Sequence, residues 1–238
     1  MRLANYGRTG LLVELNSLDD ALRLAVALER RRPAGVTELI PGARTVLIRF
    51  DPAVSSPAVL ATEVTEAIQR AEPAEPAERA EHAEPDGTPG PGGAASQEHG
   101  RKGEQSPPFE DQVVEIPVIY DGADLAEVAE ITGLSVAEVI DRHCRASYRV
   151  AFTGFAPGFG YLSGGDPVLV VPRRSTPRTR VPAGAVGLAG EFTGVYPRPG
   201  PGGWQIIGRT ELLMWDLERV PAALLRPGVR VGFREVTS

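Results

Sequence analysis

The sequence predicts two structured parts: an α+β lobe over residues 1–70 and a mainly-β domain over residues 109–238. Three observations lead to this division. In the first seventy residues, short strand-like runs alternate with two stretches of helical periodicity. From 152 to 216, glycine and proline recur every few residues with short apolar runs between them: Ala185 to Ala189, Trp204 to Ile207 and Leu212 to Trp215. Short strands between tight turns form closed or half-closed β structure. Between the two parts, residues 71–108 carry almost nothing large and apolar.

The first part can be read element by element. Residues 11–15 form a strand. Ser17 caps a helix whose first turn holds Asp19 and Asp20, where the helix dipole favours acids. Leu18, Leu22, Ala25, Val26 and Leu28 follow at helical spacing, and Pro33 and Gly35 stop the helix after Arg30, Arg31 and Arg32. That arginine triplet fits a solvated C-terminal turn. Residues 36–41 and 44–50 read as a hairpin around Pro41-Gly42-Ala43. Pro57 follows Ser56 at the first position of a second helix, with Leu60, Val64, Ala67 and Ile68 as its apolar face. The order β-α-β-β-α has ferredoxin-like character. No catalytic constellation is visible in it.

Residues 71–85 repeat an Ala-Glu-Pro-type triplet, and 86–108 are rich in Gly, Pro, Ser and Gln. Such a segment cannot bury enough surface to offset its ordering entropy, so it reads as a disordered linker that lets the lobes move independently. His82 and His99 lie in it and, without fixed geometry, make poor ligands.

In the second part, residues 112–119 form a strand that Pro117 places at an edge or bulge. Asp124 opens a short helix that Gly133 ends. Ser135 and Glu138 make a capping box for a helix from Val136 to Arg145. His143 sits on its last turn, where the dipole favours a protonated imidazole. It reads either as a capping or packing residue or as a site residue, because the helix leads into the Gly/Pro-rich stretch. Tyr148 to Phe152 is a strand, more strands follow to Gly232-Phe233, and 216–225 carry a turn and a short helical piece.

The chain has 238 residues, 42% hydrophobic and 24% charged, with a formal net charge of -6. An acidic balance argues against nucleic acid as the main partner, since phosphate binding wants a basic face. Cys144 is the single cysteine, which excludes an intramolecular disulfide and a Cys-built metal site. No signal peptide or apolar run of membrane-spanning length is visible, so no membrane association and a cytoplasmic location are expected.

No P-loop, Gly-x-Ser-x-Gly, His-Glu-x-x-His or dinucleotide-binding glycine pattern occurs. No metal site is expected. What remains is an anion site. Arg178 and Arg180 alternate around Thr179 between Pro177 and Pro182, so an extended strand would project both guanidinium groups the same way. Gly184 would let a backbone approach a small ligand, and Gln205 and Tyr161 could supply neutral hydrogen bonds. The other reading pairs these arginines with surface acids or a partner protein.

Gly154-Phe155-Ala156-Pro157-Gly158-Phe159 with Tyr161-Leu162, then Thr176-Pro177-Arg178-Thr179-Arg180-Val181-Pro182-Ala183-Gly184, then Thr193-Gly194-Val195-Tyr196-Pro197, then Pro201-Gly202-Gly203-Trp204-Gln205-Ile206-Ile207-Gly208-Arg209-Thr210 closely resemble the 5-oxoprolinase B-component family, also called allophanate hydrolase subunit 1 or KipI-like. The resemblance spans nearly the whole chain outside 71–108. It implies a cyclophilin-like β-barrel for the second domain. It implies a partner homologous to the 5-oxoprolinase C component (allophanate hydrolase subunit 2) and a third chain, the A component. The implied activity is ATP-dependent cleavage of 5-oxo-L-proline to L-glutamate, with ATP handled by the complex and no cofactor in the isolated chain, which would be inactive alone. By motif position, Phe159, Tyr161, Arg178, Thr179, Arg180, Pro182, Gly184 and Gln205 become the substrate wall for a small anion; the catalytic residues are not implied. The same resemblance leaves two other functions open: a module inhibiting a sporulation-type histidine kinase, or half of a urea carboxylase-like carboxyltransferase. One departure stands out: where the family usually reads Ala-Gly-Gly-Gln-Thr-Gly, this chain has Ala189-Gly190-Glu191-Phe192-Thr193-Gly194.

Overall fold

A computed structural model describes residues 1–70 and 113–237. The predicted linker 71–108 lies outside the described residues, as do His82 and His99.

The first lobe contains β1 (Arg2–Asn5), β2 (Gly10–Glu14), α1 (Leu18–Arg30), β3 (Val36–Pro41), β4 (Thr45–Phe50) and α2 (Pro57–Arg70). Its sheet has the order β1-β2-β4-β3 with antiparallel neighbours throughout. The reading β-α-β-β-α lacked β1. That strand has only four residues, and Arg2 and Asn5 are exposed, so it shows no apolar alternation to read. Its pairing with β2, from Arg2↔Glu14 to Asn5↔Leu11, creates it. Ser17 accepts a hydrogen bond from the Asp20 amide at 3.1 Å and starts α1 as expected. Leu24 and Leu28 of α1 and Leu60 and Val64 of α2 bury against Val13, Val46 and Ile48 of the sheet.

The second part runs β5 (Val113–Val118), α3 (Leu125–Thr132), α4 (Val136–Arg145), β6 (Tyr148–Thr153), β7 (Gly160–Ser163), a single 3-10 turn at Pro167–Leu169, β8 (Arg178–Val181), β9 (Ala185–Ala189), β10 (Phe192–Val195), β11 (Gly200–Gly202), β12 (Gln205–Arg209) and β13 (Arg230–Glu235). Seven strands form one sheet in the order β12-β9-β10-β7-β6-β13-β5. Its two edges meet: Ile119, just past β5, and Arg209, at the end of β12, exchange two backbone hydrogen bonds of 2.9 Å. The sheet is therefore nearly closed into a barrel, which removes the unpaired edges that an open sheet would expose. Pro117 sits on the edge strand β5, where its missing amide costs no ladder bond. The capping box at Ser135 and Glu138 is present in both directions. Val139 of α4 and Val128 of α3 reach the core that Ile116, Val150, Leu162 and Ile207 fill from the strands.

Two expectations fail here. Leu212 to Trp215 forms no strand, only a bridge between Trp215 and Ala223, and 216–225 contain no helix. β8 also stands outside the barrel. It pairs with β11 in a two-stranded ribbon, Arg178 opposite Gly202 and Val181 opposite Gly200.

The lobes share an apolar cluster. Leu18 of α1, with Leu22 and Ala43, packs against Ala151 and Phe152 of β6, with Tyr161 and Phe192 alongside. This contact opposes the independent movement that the linker suggests.

Candidate functional site

The densest polar contact lies where the β8 ribbon meets the start of α3. Asp124 precedes α3, but its carboxylate does not cap the helix. It faces the other way, accepting from Arg178 Nη1 at 2.8 Å and Nη2 at 2.7 Å, from Arg174 Nη1 at 2.6 Å and from the Ile206 amide at 2.6 Å. The residue is 1% exposed. Burial alone would raise its pKa; the Arg178 hydrogen bonds, the Ile206 amide and the two guanidinium charges outweigh burial and hold it below the usual carboxylate range. The same hydrogen bonds raise the Arg178 pKa.

This arrangement corrects the expected anion clamp. The forked face of Arg178 is occupied by an internal carboxylate, because a buried Asp124 requires paired charge. Arg180 is exposed and carries no ion pair among the described residues, and Thr179 and Pro182 are exposed beside it. Gly184 does approach another backbone, but that of Thr210: a Cβ placed on Gly184 would lie 2.1 Å from the Thr210 carbonyl oxygen, and its φ is +77°. Phe159 is fully buried, edge-on to Tyr161, Tyr196 and Trp204 at 5.0 to 5.5 Å. Tyr161 is half-buried and stacks on Phe152 at 4.4 Å. Gln205 is buried with its amide nitrogen 3.4 Å from the Pro172 carbonyl, and its Oε1 has no partner among the described residues. Phe159 and Tyr161 thus stand together with Trp204 in one aromatic cluster, whereas Gln205 turns to the Pro172 carbonyl and Thr179, Arg180 and Pro182 face solvent on the ribbon. Phe155, in the same Gly-Phe-Ala-Pro-Gly loop, holds a φ of +63° and is 56% exposed, an unusual combination for a bulky aromatic.

His143 is fully buried, and its environment fixes its protonation. Thr193 donates its only hydroxyl hydrogen to the Gly187 carbonyl at 3.1 Å. His143 Nε2, 3.1 Å from Thr193 Oγ1, must then be the donor. Its Nδ1 therefore accepts from the Tyr120 hydroxyl at 2.7 Å, and Tyr120 in turn accepts from the Cys144 thiol at 3.3 Å. Burial pushes the imidazole down to about 3, so it stays neutral. The protonated helix-terminal imidazole expected from the sequence is overturned: desolvation outweighs the dipole. A neutral ring with both nitrogens satisfied, against Phe233 at 4.3 Å, packs rather than reacts.

Two concavities flank the turn 164–167. An open groove of about 620 Å³ is lined by Glu138, Asp141, Arg142 and Arg145 of α4. A narrower cavity of about 270 Å³ lies on the other side, between that turn and the β9–β10 hairpin, with Tyr148, Glu191, Phe192 and Thr193 in its wall. Neither contains a predicted site residue. The cavity instead holds the two positions at which the sequence departs from the family pattern, Glu191 and Phe192. Asp166 separates the two spaces, accepting from Arg142 Nη1 at 2.8 Å and from the Val168 amide at 2.9 Å. The sequence marks Asp124 and Tyr148 only as a helix start and a strand start and singles out neither Arg174 nor Asp166; the four arginines at 173, 174, 178 and 180 are the one hint of a nearby acid. Among the described residues, no group of three or more His, Cys, Asp or Glu side chains is placed to hold a metal ion.

The described residues form an α+β lobe packed against a nearly closed barrel, with polar concavities on either side of the 164–167 turn. The chain belongs to the carboxyltransferase-domain family of subdomains C and D, whose model matches residues 1–87 and 89–225. It is 49% identical over 129 residues to the 5-oxoprolinase B component of Bacillus subtilis, covering 53% of this chain and 54% of that protein. It is 50% identical over 127 residues to the 5-oxoprolinase B component of Escherichia coli O157:H7, covering 52% and 58%. The match thus spans about half the length of these curated relatives. Among solved structures, TTHA0988 is 35% identical with a TM-score of 0.65, covering 96% of this chain and 40% of that one. The urea carboxylase of Kluyveromyces lactis shares the fold at a TM-score of 0.68 and 18% identity, covering 99% of this chain and 22% of that one. No helix among the described residues is long and apolar enough to cross a membrane.

Proposed function

We propose that this chain is the B component of an ATP-dependent 5-oxoprolinase, acting with homologues of the C component (allophanate hydrolase subunit 2) and the A component to open 5-oxo-L-proline to L-glutamate. The observation that carries the reading is the identity of 44 to 50% to three proteins named as the B component of 5-oxoprolinase. The incomplete site supports it: the one described histidine is sealed and neutral, and Arg178 is held by Asp124, so the reacting groups come from partners. ATP is assigned to the complex as a whole, because the arginines that line the larger groove, Arg142 and Arg145, are already paired with Asp166 and Asp141. This chain's own part is to bind and orient the lactam and to present the aromatic cluster of its barrel. The location is the cytoplasm, where a single free cysteine is at ease.

The test is reconstitution. The chain, combined with the A and C components, should release glutamate from 5-oxoproline with ATP consumption, and omission of any one chain should abolish it. Failure of the complete mixture to release glutamate overturns the reading. A second reading, half of a carboxyltransferase, is favoured by the family model that the chain matches. It predicts transfer of a carboxyl group from a biotin carrier by the same mixture, with no glutamate formed. Capture of a histidine-kinase dimerisation domain in place of a C-component homologue would instead identify a regulatory inhibitor.

A further inference from the structure

We propose that the β8–β11 ribbon is a strap that lifts from the barrel as a unit, with Asp124 as its latch and the cluster of Phe159, Tyr196 and Trp204 as the surface it uncovers. Two stretches make the strap, 172–183 and 197–204, and both of its ends are anchored to the barrel. At one end Val171 bridges to Gly190 and Gln205 pairs with Leu188. At the other, the Gly184 amide donates to the Tyr196 carbonyl at 2.7 Å. Between these anchors the ribbon belongs to no barrel ladder. Its own pairing is thin. β8 has four residues and β11 three, the register shifts between Gly200 and Gly202, and Pro201 at the middle of β11 has no amide to donate. A two-stranded ribbon by itself is marginal in water.

Apolar burial adds little. Among residues 172–183 and 197–203 only Val181 is buried, in the cluster with Phe159, Tyr196 and Trp204. The ribbon lies close over that cluster: a Cβ on Gly202 would stand 2.1 Å from the Tyr196 hydroxyl oxygen. A polar seam is what holds the strap down. Arg174 and Arg178 bind Asp124, and the Pro172 carbonyl lies 3.4 Å from the Gln205 amide nitrogen. The seam also carries a cost. Closure buries Arg174 Nε and Gln205 Oε1 without a partner among the described residues. Buried polar atoms in that state are rare, because each has given up its water for nothing. Lifting the strap returns both to solvent. The charge-assisted latch therefore works against two unsatisfied groups, over a segment that little else restrains. The barrel does not need the ribbon to close, because its seven strands and the Ile119–Arg209 bridge are complete without it. Opening is thus local, and it is independent of the reaction proposed above.

Amide hydrogen exchange on the full chain, followed through a series of urea concentrations below the unfolding transition, tests this. The Arg174 amide, bonded to the Gly203 carbonyl at 2.8 Å, and the ladder amides of β8 and β11 should exchange at least about tenfold faster than those of β6, β9 and β13. Their rates should barely change with urea, since a local opening exposes little surface, whereas the barrel strands should show the full unfolding slope. Asp124→Asn should speed exchange in the strap about a hundredfold, as expected for a broken buried pair. Arg178→Lys, which keeps the charge and loses the fork, should speed it about fivefold and carries the test if Asp124→Asn does not fold. Sodium chloride at about 1 M, where the screening length is ~3 Å, should also speed the strap and not β6 or β13. Uncovering of the cluster is read by thiol labelling of Val181→Cys in a Cys144→Ala background: the rate should follow that of the strap amides in each variant. Strap amides with the urea slope of the barrel would overturn the inference, because the ribbon would then open only when the whole domain unfolds. Unaltered strap exchange in Asp124→Asn and Arg178→Lys would remove Asp124 as the latch. Labelling of Val181→Cys at the rate of global unfolding would show that the cluster stays covered.

Discussion

Asp124 grips Arg178 with both oxygens, Nη1 lying 2.8 Å from Oδ2 and Nη2 2.7 Å from Oδ1, while Arg174 closes on the same carboxylate at 2.6 Å. The contact ties the β8 ribbon to the start of α3 and to the Ile206 amide of β12, three segments far apart in sequence. Removing the acid leaves two arginines, each with a side chain about 27% exposed, without their counter-charge. Asp124→Asn should therefore cost about 3 kcal/mol in urea unfolding, the lower end for a broken buried pair because water reaches both guanidinium groups. Arg178→Lys should cost about 1 kcal/mol, since a point charge cannot reproduce the fork. The Asp124 pKa is lowered on folding, so its contribution is present above the ordinary carboxylate range and is lost as pH falls through the lower folded value. The Asn variant should lose that acid dependence. A variant as stable as the parent would mean that the trio contributes nothing net.

His143 sets a second pH dependence, at higher pH. Its pKa falls on folding from 6.5 to about 3. Between those values the unfolded chain holds a proton that the folded chain refuses, so stability is complete above pH 6.5 and declines as pH drops. The slope from this residue is about 1.4 kcal/mol per pH unit. His143→Gln should flatten that slope at some cost in stability. Nitrogen NMR of the parent should show a neutral ring with the hydrogen on Nε2 down to pH 5. A titration midpoint near 6.5, or a hydrogen on Nδ1, would contradict the hydrogen-bond chain from Cys144 to Gly187.

The two residues mark what could be read from the sequence. Ser17, Ser135 with Glu138, Gly133 and Pro117 act within a few residues of themselves, and their roles were legible as helix caps, a stop and an edge strand. Asp124 also looked local, as a helix start, because nothing in its neighbours reveals a partner 54 positions later. The alternation of Arg178 and Arg180 was visible, but their shared direction was no guide to what each one touches. Ribbon pairing with Gly202 set one against an internal acid and left the other in solvent. The same holds for the cavity, whose walls come from Tyr148, the 164–167 turn and the β9–β10 hairpin. β1 and the loop after Arg209 were misread for a related reason. Four weakly patterned residues became a strand through pairing, and an apolar run at 212–215 did not, because its pairing with 222–224 stops at the single bridge between Trp215 and Ala223.

The apolar cluster between the lobes yields a further prediction. Leu18 is almost fully buried at the helix start, against Ala151 and Phe152. Leu18→Ala should cost about 2–3 kcal/mol, the low end for a buried leucine, because the cluster is small and can relax. More specifically, calorimetry should show one transition for the parent and two, separated by several degrees, for the variant, as each lobe then melts on its own core. Two resolved transitions already present in the parent would show that the cluster does not couple the lobes.

Gly184 and Gly190 provide the sharpest comparison, because both hold positive φ but only one is crowded. Gly190, φ +58°, sits first in the two-residue turn joining β9 to β10, where a type II′ turn demands glycine, and a Cβ there meets nothing within 4 Å. Gly190→Ala should therefore cost only the left-handed backbone penalty, about 1–2 kcal/mol. Gly184, φ +77°, carries the same penalty, and its Cβ would also collide with the Thr210 carbonyl oxygen at 2.1 Å. That carbonyl cannot simply retreat. The Thr210 amide donates to the Gly184 carbonyl at 2.9 Å and the Gly184 amide to the Tyr196 carbonyl at 2.7 Å, so the strand ends are locked together. Gly184→Ala should cost clearly more than Gly190→Ala in denaturant unfolding, with loss of the Thr210 amide's protection in hydrogen exchange. Equal costs would place the requirement for glycine at 184 in its backbone conformation alone, and not in the contact with Thr210.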